Sequence, residues 1–333
     1  MCSIKKTKHI QLVETIILKI MTKYTFLLPA YKPHFLAEAL ESIKEQTYTD
    51  FKVIVSDDCS PHNLKSIFEK TCGDDPRFTF RRNEANMGGK SLVSHWNLLV
   101  DLCDTEYFIM ASDDDVYEPD FLVEADKLLV KYPKVNLLRA RSRVIDGEGN
   151  VKAEEDVTDE WLDNLHFINR IYQKDWVGGI ASFVYRTKHL KEKGNFVDFP
   201  LAWFSDDVTN FLMADEGCCM TQKVTFRVRY SDYNISSKWG DPDDCREKMI
   251  ATYMNYRWMK NYMKAFDNYV DRKFLAEATK GYKYKIYTNI QSYIYSCRPS
   301  SFFKFLLQCP SDLGLCKLRM FAHWLRGRFK YAH

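Results

Sequence analysis

The sequence predicts an α/β protein in which a mainly parallel sheet is flanked by helices and followed by a helical C-terminal extension. Three observations predict it. Apolar, β-rich runs alternate with segments of helical period between residues 24 and 131. Two of those runs stop at consecutive aspartates, and the carboxyl ends of parallel strands are where open sheets bind ligands. Residues 242–296 read as long helices rich in Tyr and Lys, without internal proline. A chain of 333 residues can bury a sizeable core, and 46% hydrophobic with 28% charged residues excludes a disordered or collagenous protein.

Taken in order, residues 24–30 form a strand limited by Pro29 and Pro33, 35–46 a helix, and 51–56 a strand ending at two aspartates. That is a βαβ unit. Residues 63–71 predict a helix, 77–82 a strand, 89–103 a helix, 107–111 a strand, and 120–131 a helix closed by Pro133. Beyond 135–145 the regularity fades. Asp146-Gly147-Glu148-Gly149-Asn150 reads as a hairpin tip, 161–172 as a helix and 179–186 as a strand. The division expected is an N-terminal extension 1–21, a body 22–240 with halves 22–135 and 136–240, and a basic, aromatic helical region 241–333.

Net charge is only +3, but it is unevenly spread. Residues 246–333 hold 17 Lys and Arg against 5 Asp and Glu, net +12, which leaves −9 for the rest. The ten cysteines are scattered with no C-x-x-C pair and read as reduced thiols of a cytosolic protein. The apolar stretch 10–21 is interrupted by Glu14 and Lys19, falls short of the roughly 20 residues of a membrane span, and lacks a small-residue cleavage site. Since Met21 directly precedes the first strand, residues 1–20 are expected to be a frayed helix or a translation-start artefact without function.

The acids carry the chemistry. Val53-Ile54-Val55-Ser56 runs into Asp57 and Asp58, and Tyr107 to Ser112 into Asp113, Asp114 and Asp115. One aspartate after a strand is ordinarily a turn or cap residue. Three in succession repel one another unless a cation or wide exposure relieves them. Strand alternation would put Asp113 and Asp115 on one side and Asp114 on the other. Carboxylate oxygens suit Mg²⁺ or Mn²⁺, and a site with so few carboxylates completes its shell with water and substrate phosphates. G-x-x-x-x-G-K-[ST] is absent, so this is not a P-loop protein, and the lack of a G-x-G-x-x-G after the first strand speaks against a dinucleotide-binding protein.

These segments, in this order, carry a resemblance: Phe26-Leu27-Leu28-Pro29-Ala30-Tyr31, Val55-Ser56-Asp57-Asp58-Cys59-Ser60, Asn86-Met87-Gly88-Gly89 with Asn97, and Ser112-Asp113-Asp114-Asp115 before Pro119-Asp120. Together they resemble the nucleotide-sugar-binding half of a family 2 glycosyltransferase, which has the GT-A fold, over about residues 22–215. The resemblance implies that Ala30 and Tyr31 line the base pocket, that Asp58 accepts a hydrogen bond from the nucleobase, and that Asp57 supports its loop. It implies that Asn86 and Gly88 let backbone approach the nucleotide. Asp113 and Asp115 match the family's D-x-D, the first toward the ribose and the second toward the metal, with Asp114 able to share the work. Lys90 stands where a cation could meet the diphosphate, the alternative being a solvated lysine. The sequence departs from the family at Lys32, usually Asn, at Cys59, usually Gly or Asn, and at Trp96, often Arg.

Inverting glycosyl transfer needs a base for the attacking hydroxyl and positive charge for the leaving diphosphate. Trp203-Phe204-Ser205-Asp206-Asp207-Val208, after Gly178-Gly179 and Gly194-Asn195-Phe196, resembles the family's acceptor-side Glu-Asp motif. It implies Asp207 as base, with Asp206 supporting or replacing it, although acids in the first turn of a helix also serve its dipole. Trp176, Trp203 and Phe204 suit stacking on a sugar, and Arg229, Tyr230, Ser236, Ser237 and Lys238 a loop closing over the donor phosphates.

Residues 246–333 also hold 19 of the 49 aromatic residues. Most of 246–296 is expected to pack on the body. Phe302, Phe303, Phe305, Phe321, Trp324 and Phe329, beside Lys304, Lys317, Arg319, Arg326, Arg328 and Lys330, suit an anionic membrane surface. No nucleic-acid-binding module is present. The expectation is a cytoplasmic, inverting glycosyltransferase, peripheral at the inner face of the membrane. It would use a nucleotide-diphosphate sugar, Mn²⁺ or Mg²⁺, and a glycan or lipid-linked saccharide acceptor. The rival readings are a nucleotidyltransferase, a phospho-acceptor domain and a non-catalytic nucleotide-binding module.

Overall fold

The computed structural model describes residues 22–173, 177–233, 242–294, 297–308 and 317–330. The expected N-terminal extension, Trp176 and the 236–238 stretch lie outside them. The first half alternates as expected: β1 (Tyr24–Ala30), α1 (Leu36–Lys44), β2 (Phe51–Asp57), α2 (Leu64–Cys72), β3 (Phe78–Arg82), α3 (Leu92–Leu102) and β4 (Tyr107–Met110). Strands β3, β2, β1 and β4 lie side by side and parallel. In β1, Leu27 faces one apolar layer while Phe26 and Leu28 face the other. Both layers are buried, which is why the run reads as continuously apolar. Helix α1 covers one layer with Leu36, Leu40 and Ile43, a helical stripe. Helix α3 covers the other with Trp96, Leu99 and Val100, starting where the Ser91 hydroxyl accepts the Ser94 N–H at 3.0 Å.

Next come β5 (Val116–Tyr117), α4 (Phe121–Lys131), β6 (Leu137–Ile145), β7 (Val151–Glu154), β8 (Trp161–Leu162), α5 (Asn164–Gln173), β9 (Phe183–Arg186), α6 (Thr187–Glu192), α7 (Ser205–Met213) and β10 (Cys218–Arg229). The ten-stranded sheet runs β3-β2-β1-β4-β9-β6-β10-β5, with β7 on β6 and β8 on β10. Parallel pairing is therefore only part of it. β9 is antiparallel to β4 and β6, and β5 is antiparallel to β10. The helix expected over 161–172 begins as β8, which pairs with Cys218 and Cys219; Asp163 ends it by accepting the His166 N–H at 2.8 Å. The strand expected over 179–186 begins as a helical turn, Ile180–Ser182. The hairpin tip 146–150 joins β6 to β7 as expected.

The C-terminal region contributes α8 (Pro242–Tyr262), α9 (Arg272–Ile294), α10 (Pro299–Gln308) and α11 (Lys317–Lys330). Ala278, Tyr282, Ile286, Ile290 and Tyr293 recur every three or four residues on one buried face of α9. One apolar cluster runs from Leu27 and Phe108 in the sheet to Phe302, Phe305 and Trp324. Cys59, Cys72, Cys103, Cys218 and Cys219 are free thiols. No helix among the described residues is long and apolar enough to cross a membrane.

Candidate active site

Two adjoining cavities open at the carboxyl ends of β1, β2 and β4. The first, about 710 Å³, is walled by Ala30, Tyr31, Asp58, Asn86, Gly88, His95, Asp113 and Asp114. The second, about 550 Å³, is walled by Asp115, Arg139, Gly178, Trp203, Asp206, Asp207, Tyr230 and Lys285. Lys32, Leu92, Trp96, Ser112 and Ile180 border both.

The first cavity is built by β2 and the loop after β3. Asp57 accepts the Ser60 N–H at 2.8 Å and pairs with Arg82, and so braces the turn. Asp58 accepts hydrogen bonds from Asn83 Nδ2 at 2.8 Å, Met87 N–H at 2.9 Å and Gly88 N–H at 2.7 Å. Burial raises its pKa, but these donors outweigh burial and hold it below the ordinary carboxylate value. Three donors thus engage a carboxylate that has about four acceptor sites. A Cβ on Gly88 would meet Asp58 Oδ2 at 3.0 Å, and one on Gly89 would meet Asn86 Oδ1 at 2.7 Å, so a side chain at either position would press on the oxygens that hold this loop. Lys90 stands apart from both cavities. Its N–H closes the 87–90 turn on Met87 O at 2.9 Å, and its side chain is exposed outside both cavities.

The acidic turn also departs from strand alternation, because β4 ends at Met110. Asp113 Oδ2 accepts the backbone N–H groups of Tyr31 and Lys32 at 2.9 and 2.8 Å. The Lys32 ammonium lies 2.6 Å from Asp114 Oδ2 and 3.3 Å from Asp113 Oδ1. Asp113 and Asp114, not Asp113 and Asp115, therefore share a side. Asp115 instead accepts the Arg229 N–H at 2.8 Å and the Ser112 hydroxyl, and faces the second cavity. Burial, then the charge of Asp114, pushes Asp115 up to about 7. Burial opposes the charge on Lys32, but the two carboxylates outweigh it and raise its pKa. Arg229, expected on a loop over phosphates, is a buried residue of β10. Its guanidinium grips Asp114 O at 2.9 Å and Asp146 O at 3.1 Å and pairs with Glu38 at 2.6 Å, stacked on Phe35.

In the second cavity, Asp206 and Asp207 occupy the first turn of α7. The segment before it holds Leu201, Ala202 and Phe204 at φ of 58°, 55° and 67°. Such left-handed, non-glycine backbone costs about 1–3 kcal/mol per residue and clusters at functional sites. Burial raises Asp206 to about 6; burial, then the charge of Asp206, raises Asp207 further, against the pull of Lys285. Of the aromatics expected to meet a sugar, Trp203 and Phe204 line this cavity.

Four contributions went unread in the sequence. Lys285 reaches the cavity from α9, 78 positions beyond Asp207. His95, buried on α3, makes a 2.9 Å contact with Ser56 Oγ and has its pKa lowered by burial. Tyr233 borders the first cavity and stacks on His34 with centroids 3.7 Å apart. Arg139 lies behind Gly178. None of these four carried a local signal in the sequence, whereas Lys32 stood out there as a departure from the resemblance.

The hard oxygens of Asp113 and Asp114, with an ammonium already between them, form a turn that fits a cation. Among the described residues no group of three or more His, Cys, Asp or Glu stands ready to hold a metal by itself. A divalent ion here would need ligands from a substrate.

Residues 25–192, half of the chain, match the family model for glycosyl transferase family 2. The chain is 32% identical over 123 residues to an uncharacterized glycosyltransferase of Methanocaldococcus jannaschii (36% of this chain, 41% of the relative). It is 28% identical over 140 residues to chondroitin synthase of Escherichia coli (42% and 20%). It is 21% identical over 321 residues to the poly(ribitol-phosphate) beta-N-acetylglucosaminyltransferase TarS of Staphylococcus aureus (92% and 54%). The chain thus spans about half or less of the length of these relatives. Among solved structures, S. aureus TarS 1–349 with UDP-GlcNAc superposes at a TM-score of 0.58 with 16% identity, covering 92% of this chain and 89% of that one. The mannosyltransferase PcManGT of Pyrobaculum calidifontis, with GDP-Man and Mn²⁺, does so at 0.51 with 16% identity, covering 92% and 86%. These likenesses show that the fold is the GT-A fold.

Proposed function

Because the chain belongs to glycosyl transferase family 2, we propose that it transfers a sugar, with inversion, from a nucleotide-diphosphate sugar to a hydroxyl of a glycan or lipid-linked saccharide. The observation that carries this reading is the continuity of the two cavities. One is bordered by the acidic turn and the glycine loop, the other by a buried carboxylate pair, and they meet at Lys32, Trp96 and Ser112. A donor in the first would present its anomeric carbon to an acceptor in the second.

In this reading Ala30, Tyr31 and Asn86 contact the nucleoside, while Asp57, Asp58 and Gly88 shape its pocket. Asp113 and Asp114 would hold Mn²⁺ or Mg²⁺, a choice supported by the Lys32 contacts and by the turning of Asp115 toward Arg229. When bound, the metal supplies positive charge to the departing diphosphate. Asp207 takes the proton of the attacking hydroxyl as the acceptor oxygen bonds to the anomeric carbon, and the carbon–phosphate-oxygen bond breaks on the opposite face, its electron pair leaving with the diphosphate. A raised pKa brings this base nearer to working pH, where a general base is most effective. Asp206 supports it. The body 22–240 carries donor and base, and the region 241–333 closes the acceptor wall through Lys285.

Peripheral attachment to an anionic membrane would use the exposed Phe303, Leu307, Leu318 and Phe321 beside Lys304 and Arg326. The side chain of Phe329 lies outside the described residues.

The deciding experiment incubates the protein with UDP- and GDP-sugars, Mn²⁺ and a panel of glycan acceptors. Release of nucleoside diphosphate together with an elongated acceptor is expected. Release of pyrophosphate would mean a nucleotidyltransferase, and binding without turnover a nucleotide-binding module.

A further inference from the structure

Lys32 stands at the one place where a metal and a leaving diphosphate would both need to be. Its backbone N–H, with that of Tyr31, fixes Asp113 Oδ2, and its ammonium lies 2.6 Å from Asp114 Oδ2 and 3.3 Å from Asp113 Oδ1. The side chain is about one quarter exposed and borders both cavities. Backbone and side chain do separable things here: any residue but proline at 32 can keep the N–H bond to Asp113, but only a cation fills the gap between the carboxylates.

Resting on the metal reading above, we propose that Lys32 is a resident counter-cation that occupies the metal's place until the nucleotide arrives. Two carboxylates offer a divalent ion few ligands, and displacing an ammonium already held there adds charge repulsion between the incoming and outgoing cations. A nucleoside diphosphate changes the balance. Its oxygens complete the shell of the metal, and its negative charge gives the released ammonium a new partner at the junction of the cavities, where the leaving group forms. Lysine suits such a transfer because its charge sits on a flexible stem and its three donors carry no fixed geometry. Metal therefore binds with the nucleotide and not before it, and the acidic turn stays neutralised when empty.

The test measures Mn²⁺ binding to the full chain by electron paramagnetic resonance of free Mn²⁺, with MnCl₂ alone and with UDP or GDP added. Wild type is expected to bind Mn²⁺ weakly alone and strongly with nucleotide. Lys32→Asn is expected to bind Mn²⁺ alone at least about tenfold more tightly, the effect of removing one positive charge a few ångströms away, while Lys32→Arg stays near wild type. Lys32→Met, which keeps the apolar stem, repeats the measurement if the Asn variant folds poorly. Equal affinity of wild type and both neutral variants for Mn²⁺ alone, with nucleotide still strengthening binding in each, overturns the Lys32 proposal and leaves the metal reading standing. No Mn²⁺ binding in any protein, with or without nucleotide, overturns the metal reading and the role of Lys32 with it.

Discussion

At the scale of single residues, the buried carboxylates of α7 make the sharpest claims. Asp207→Asn keeps the size of the side chain but cannot take a proton. Turnover should fall about 10²- to 10⁴-fold, the usual share of general-base catalysis, while calorimetric donor and Mn²⁺ affinities stay near wild type. Asp206→Asn should be milder; the reverse ranking would move the base to Asp206. In wild type, kcat should rise with pH through a midpoint above the ordinary carboxylate range, because Asp207 must be deprotonated and burial beside Asp206 raises its pKa. Stability should run the other way. With folded pKa values above the unfolded value near 3.8, the native state binds more protons than the unfolded chain, so stability is lost as pH rises through that interval, to about 6 for Asp206 and beyond for Asp207. Thermal melts should show the double Asn variant gaining on wild type as pH increases from 4 toward 8. The residue types of this site were legible in the sequence because consecutive acids are rare without a use. Their facing was not, since it depends on where β4 ends and how the turn beyond it bends.

At the scale of elements, the wall of the second cavity depends on a buried ion pair between β6 and the end of the β7 hairpin. Arg139 and Glu155 are both almost fully buried; Arg139 Nη1 lies 2.7 Å from Glu155 Oε2 and Nη2 lies 2.7 Å from Val177 O. Glu155 also accepts the N–H groups of Ser142 at 2.9 Å and Val177 at 3.0 Å. The pair thus ties the hairpin to the segment that leads into Gly178. Glu155→Gln would leave the guanidinium charge buried and unpaired, at a cost of about 3–5 kcal/mol. Urea unfolding should register that loss, and acceptor KM should rise while donor affinity holds. Nothing in the spacing of Arg139 and Glu155 announced the pair. The hairpin tip at Asp146-Gly147-Glu148-Gly149-Asn150 was readable from its turn residues, yet which side chains it brings opposite one another follows from a register that bulges at Ile145.

At the scale of the molecule, the C-terminal helices are part of the core. Phe302 is fully buried and stacks on Trp324 with centroids 5.0 Å apart, within the cluster that begins in the sheet. Removing residues 299–333 should therefore lower the melting temperature and broaden the transition, because it uncovers the apolar faces of α8 and α9. A truncated protein that melts like the full chain would mean that these helices only decorate the body. Phe302, Phe305 and Trp324 are thus withdrawn from the surface expected to meet a membrane. Phe303→Ser with Phe321→Ser, both exposed, tests what is left: binding to anionic vesicles should weaken, most visibly at low salt, with folding intact.

By itself, the sequence determined the alternation of strands and helices from 24 to 131, the acidic turns at the ends of β2 and β4, the glycines beside Asn86 and the acids at the start of α7. These are local properties, written in hydrophobic period and in residue types that only certain backbone positions accept. Tertiary structure alone decided that β9 runs antiparallel, that Asp114 and not Asp115 joins Asp113 against Lys32, that Arg229 is a buried clamp, and that Lys285 enters the second cavity from a helix far along the chain. Each of these depends on contacts between segments distant in sequence, where burial, charge pairing and backbone register are set by what packs opposite and no local pattern encodes the partner.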